Sequence, residues 1–122
     1  MTELNDFGKK LKKDRREKIK KLVRQEFYNN INHLGGDKHF MKIMEEHQED
    51  EAYIDEGKII LSSYMLAGDY KPEKFDEWNI SASDTIYRNL LSEYLKNIAK
   101  EMGIPFKSED KSYYTSYFFY LN

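Results

Sequence analysis

From about Asn5 to Leu34 the chain contains no proline, and Gly35-Gly36 follows, where glycine permits the left-handed exit that ends a helix. A helix of that length sets most of the geometry of so short a chain, so its faces are decisive. Stepping by 4, 3, 4 and 4 residues, Lys9, Lys13, Arg16, Lys20 and Arg24 fall on one stripe. Continuing by 3, 4 and 3 reaches Phe27, Ile31 and Leu34. One geometric face is therefore cationic for about four turns and apolar thereafter. The two halves need different surroundings: the C-terminal half belongs in a core, and the N-terminal half projects or lies along the surface. A weaker apolar edge of Leu4, Phe7, Leu11, Ile19 and Leu22 runs along the far side of the basic half. Asp14 with Lys18 and Glu17 with Lys21 stand at i, i+4 in the favourable order, which helps an exposed helix persist.

Charge is segregated along the chain. Between Lys9 and Arg24 ten Lys and Arg face only Asp14 and Glu17, while eighteen acids against ten bases leave everything from Gln25 onward at net −8. The whole molecule is at −2 with a pI near 5.9, so attraction to a polyanion has to come from the local stripe. With 122 residues there is material for one domain. The absence of Cys excludes disulfides, thiolate metal sites and thiol catalysis, and points to a reducing compartment. No apolar run approaches the roughly 20 residues of a membrane span, and the charged start lacks the apolar core of a signal peptide. The expectation is a cytoplasmic protein with no membrane contact.

Beyond the glycine pair, Asp37 caps a helix of about Lys38 to Gln48, with Phe40, Met41, Met44 and His47 turned to the core. Tyr53-Ile54, then Asp55-Glu56-Gly57-Lys58, then Ile59 to Leu66 reads as a β-hairpin. Ala67 to Asn79 reads as a loop tethered by Phe75 and Trp78. Ser81 and Asp84 at capping-box spacing, with Ser83 as a competing cap, open a helix. Its apolar face is Ile86, Leu90, Leu91, Tyr94, Leu95, Ile98 and Met102, and Gly103 with Pro105 ends it. Ser112 to Leu121 carries aromatics on both faces, as an interior strand does. The fold expected is α+β, a single domain in the order ααββαβ, with helices packed on a small antiparallel sheet. Residues 1–24 form a basic arm and residues 25–122 the domain proper.

Chemistry-bearing patterns are few. Phosphates demand dense positive charge and little else, and Lys9, Lys13, Arg16, Lys20 and Arg24 supply it. The acids Glu45, Glu46, Glu49, Asp50 and Glu51 either pair with that stripe, serve as a solvated helix end, or imitate phosphates in a partner's site. His33, His39 and His47 are spaced too poorly for one metal ion, so no metal or other cofactor is expected. Glu56-Gly57-Lys58 has the Glu-x-Lys form of some metal-dependent nucleases, but Glu109-Asp110-Lys111 repeats the form elsewhere. No phosphate-cradling glycine loop, His-Glu-x-x-His or nucleophile elbow occurs. The C-terminal aromatics suit a core or, less commonly, base stacking.

In general character the chain resembles small phage or mobile-element proteins of Gram-positive bacteria, including those of the anti-CRISPR type. It is short, without Cys, and rich in Lys, Tyr and Asn, with opposed acidic and basic segments and no catalytic signature. The resemblance lies in composition along the chain and carries over no site residues. It implies a non-enzymatic binding protein that engages a nucleic-acid-processing complex, a ribonucleoprotein or nuclease, through the basic helix and the acidic segment. A direct DNA- or RNA-binding regulator is the alternative, and a small Mg-dependent nuclease the third. A monomer or weak homodimer is expected, since Leu11, Ile19 and Leu22 seek cover.

Overall fold

The computed structural model describes residues 2–48, 54–55 and 57–121. The long helix, α1, spans Thr2–Leu34 and is about 50 Å long at 1.5 Å per residue. Gly35 and Gly36, at φ +112° and +65°, end it. The Gly36 N–H donates to Ile31 O at 2.8 Å and the Gly35 N–H to Asn32 O at 3.2 Å, the paired bonds of a Schellman motif. Helix α2 (Asp37–Gln48) starts without a further linker. Next come β1 (Ile54–Asp55), β2 (Lys58–Ser62), α3 (Ser63–Tyr70), α4 (Lys74–Glu77), α5 (Thr85–Met102), β3 (Phe106–Asp110) and β4 (Thr115–Tyr120). The expected α+β frame of ααββαβ is present, with α3, α4 and β3 added to it.

The strands form one antiparallel sheet in the order β1-β2-β4-β3. Strand β4 is interior, as its two aromatic faces demand. Register pairs Ile59 with Phe119 and Leu61 with Tyr117, so these four side chains share the inner face, where all are buried. Helices α2, α3 and α5 pack on that face. The other face carries half-buried Ile60, Phe118 and Tyr120, with Lys58 Nζ 5.6 Å from the Phe118 ring centre.

Three sequence expectations change. The run Ile59–Leu66 is not one strand: the Ser62 hydroxyl accepts from Met65 N–H at 3.1 Å and caps α3, which cuts the strand at Ser62. The stretch from Ala67 to Asn79 holds the end of α3 and all of α4, with Phe75 buried and Trp78 at the surface. On α2 the core face is Phe40, Ile43 and Met44, whereas Met41 is exposed. The His47 side chain lies outside the described residues, as do Tyr53 and Glu56. Helix α5 keeps its predicted apolar face and its stop at Gly103, but its N-cap is Asp84 and neither Ser81 nor Ser83. The two serine hydroxyls bond each other at 2.9 Å, and the Asp84 carboxylate turns back to the loop before the helix. Leu90, Leu91, Tyr94, Leu95 and Ile98 are buried, and Asp84 Oδ2 accepts from Ser81 N–H at 2.6 Å.

In α1 burial begins at Val23 and continues through Phe27 and Ile31. Everything from Asp6 to Leu22 is exposed apart from half-buried Gly8. The sheet and five helices form one small domain from which the basic half of α1 projects.

Candidate nucleic-acid interface

The projecting arm is where the stripe lies. Lys9, Lys13, Arg16 and Lys20 are all exposed, and none enters a hydrogen bond or ion pair with the described residues. From Lys9 to Lys20 the row spans about 16 Å along the axis. The supporting pairs expected at Asp14–Lys18 and Glu17–Lys21 do not close to within 4 Å. No described carboxylate comes within 4 Å of these four cations, so they face solvent.

Arg24 has a different situation. Its Nη1 and Nη2 donate to Glu93 Oε2 and Oε1 at 2.8 and 2.6 Å, a bidentate pair that ties α1 to α5. The guanidinium also lies 5.1 Å from the Tyr28 ring centre. The hydrogen bonds from Arg24 hold the Glu93 carboxyl below its ordinary range, and burial raises the Tyr28 phenol. One of the five sequence-predicted contact residues is therefore the root fastening of the arm, and four remain as free cations. The partner Glu93, 69 residues away, had no signal in the sequence, because charged positions on the rim of α5 look alike until α1 is packed against it.

The acidic segment is only partly described. Glu45 and Glu46 are exposed on α2 and make no ion pair with the stripe, so these two acids do not pair with the arm in cis. Glu49, Asp50 and Glu51 lie outside the described residues. Among the described residues no group of three His, Cys, Asp or Glu could hold a metal ion. His33 is exposed, and the His39 ring packs edge-on against Tyr70 with Nε2 3.6 Å from Asp69 Oδ2.

The acid-rich Glu109-Asp110-Lys111 stretch is spent on structure. Lys111 Nζ bonds Glu109 at 2.9 Å, and Asp110 Oδ1 accepts from Thr115 Oγ1 at 2.9 Å. Arg88 donates to the Lys111 and Tyr114 carbonyls at 2.9 and 3.0 Å and to Thr115 Oγ1 at 2.9 Å, fixing the β3–β4 turn.

At the root of the arm is a feature the sequence analysis did not isolate. Ile19, Leu22 and Val23 of α1, with Trp78, Ile80 and Ile86 of the domain, line an apolar groove of 440 Å³. Trp78 stands beside it because Asn79 adopts φ +57° and closes the end of α4, with Ile80 N–H donating to Phe75 O at 2.8 Å. Ile80 and Trp78 are displayed by that turn, which is a tertiary arrangement of two short elements.

The site defines a class: a small α+β domain presenting an exposed cationic helix. No protein-family model, curated protein or solved structure matches the chain. No described helix is long and apolar enough to cross a membrane.

Proposed function

We propose that the protein is a non-enzymatic binding protein that engages a nucleic-acid-processing complex, a ribonucleoprotein or nuclease, by laying its cationic arm along phosphates, in the manner of an inhibitor of the anti-CRISPR type. The observation that carries this reading is the row Lys9, Lys13, Arg16 and Lys20, exposed and unpaired among the described residues, on a helix fastened at its root by Arg24 and Glu93. A preset row loses less conformational freedom on binding than a flexible basic tail does. Phosphate contact carries no base information, so target choice falls to the partner or to the rest of the surface, including the acidic segment in a phosphate site.

Direct regulation of DNA or RNA is the second reading, favoured by the same exposed row. Binding to duplex and to single-stranded oligonucleotides at low salt tests the phosphate contact that both readings share. The expected result is measurable affinity that Lys13→Glu with Lys20→Glu removes. No binding to either form at low salt sinks the regulator, and with it the claim that the arm is a phosphate reader. Free nucleic acid as the sole high-affinity ligand counts against the inhibitor.

A further inference from the structure

One ridge of α1 joins the buried and the projecting halves. Phe7, Leu11, Arg15, Ile19, Val23, Phe27 and Ile31 follow one another at intervals of four, the row by which helices commonly interdigitate. Val23, Phe27 and Ile31 are buried in the core, while Phe7, Leu11 and Ile19 with neighbouring Leu22 are 45 to 62 % exposed. Soluble chains seldom leave such a row open, and it ends in the 440 Å³ groove beside Trp78.

We propose that a second copy of this chain covers it, the two arms packing antiparallel so that Phe7 of each copy enters the groove of the other between Leu22 and Trp78. The register follows from the spacing. If Phe7 meets Leu22, then Leu11 meets Lys18, whose aliphatic stem covers it, and the two-fold axis falls between Asp14 and Arg15. The side chains nearest the axis are then one acid and one base from each copy, which sum to zero.

The exposed apolar area is of the order a homodimer interface needs, a little below the usual figure. Phe7, Leu11, Ile19, Leu22 and Trp78 leave on the order of 450 Å² of apolar surface in water, against roughly 500 Å² for the apolar share of a stable homodimer interface. The stripe of Lys9, Lys13, Arg16 and Lys20 lies on the opposite side of the helix, so pairing leaves it free. The inference is thus independent of the phosphate reading. Residues 2–22 carry net +5, and two such arms repel, so added salt strengthens this dimer, whereas it weakens any phosphate contact.

The test is sedimentation of the full chain at micromolar to submillimolar concentration, in about 0.1 and about 1 M NaCl, with fluorescence of Trp78, the single tryptophan, as a local probe. A concentration-dependent dimer is expected, at least about fivefold tighter in the higher salt, with a blue shift of Trp78 and loss of both on Phe7→Ser or Leu22→Ser. Because the chain has no Cys, orientation is read by cross-linking. Mixed Phe7→Cys and Leu22→Cys chains form a heterologous disulfide faster than either variant forms one with itself. A monomer at all concentrations and both salts overturns the proposal and leaves the face to a foreign helix. Faster self-linking of Phe7→Cys overturns the antiparallel register.

Discussion

Arg24 and Lys13 share a stripe, yet only Arg24 is paired, with Glu93, and salt dependence separates the roles we propose for them. Each phosphate neutralised contributes about −0.9 to the slope of log affinity against log salt. Four free cations give a slope of about −3.6 on duplex DNA, and five would give about −4.5. Between 50 and 200 mM salt these correspond to losses of roughly 150-fold and 500-fold, a difference that anisotropy titrations of a labelled duplex resolve. Lys13→Gln should bring the slope to about −2.7. Arg24→Gln should leave it unchanged, because the guanidinium is already engaged by Glu93. The pair is about half exposed, so its loss costs folding no more than about 1 kcal/mol, and the domain remains intact for the measurement. A slope that Arg24→Gln lowers as much as Lys13→Gln does would refute the division into root and contact residues. The titration belongs at protein concentrations below those at which sedimentation detects self-association.

Other consequences are local to the fold. The buried Ser63 hydroxyl accepts from Thr115 N–H at 2.8 Å, so Ser63→Ala strands a buried donor and should lower unfolding free energy by about 1–3 kcal/mol in denaturant titration. The Tyr87 hydroxyl is buried without a hydrogen-bond partner among the described residues, and burial raises its pKa. Tyr87→Phe should therefore be neutral or stabilising by up to about 1 kcal/mol, and a comparable loss would reveal a partner. Glu93 has a depressed pKa in the folded state, so its contribution is present above the unfolded carboxylate value and is lost as pH falls through the folded one. Protection factors of the amides around Arg24, which correct for the slower intrinsic exchange in acid, should accordingly fall as pH drops below the ordinary carboxylate range, and Glu93→Gln should show the lower protection already at neutral pH.

The sequence was most legible where a signal is local and repeated. The end of α1 needed only two adjacent glycines, and α5 needed a capping segment, a 3.6-residue apolar period and Gly103. The interior position of β4 followed from aromatics at both parities. Strand β3 escaped because Lys107, Ser108, Glu109 and Asp110 have no apolar alternation. It is an edge held by backbone pairing to β4, and its charges suit an edge that must not recruit another strand. The cut at Ser62 had a sign in the sequence, the Ser62-Ser63 pair, but an apolar run is ambiguous between strand and helix until its neighbours are in place.

By itself the sequence determined that α1 is one long helix, that its stripe changes from cationic to apolar near Arg24, and that the domain is a mixture of helices and antiparallel strands. Periodicity, caps and charge pattern are written within a few residues of one another, so they can be read without knowing what packs where. Only the tertiary structure decided that Arg24 fastens the arm to Glu93, that Trp78 and Ile80 meet Ile19 and Leu22 in a groove, and that Glu45 and Glu46 leave the arm alone. Those facts join residues tens of positions apart, and chain spacing carries no information about such a meeting until the core that brings them together has formed.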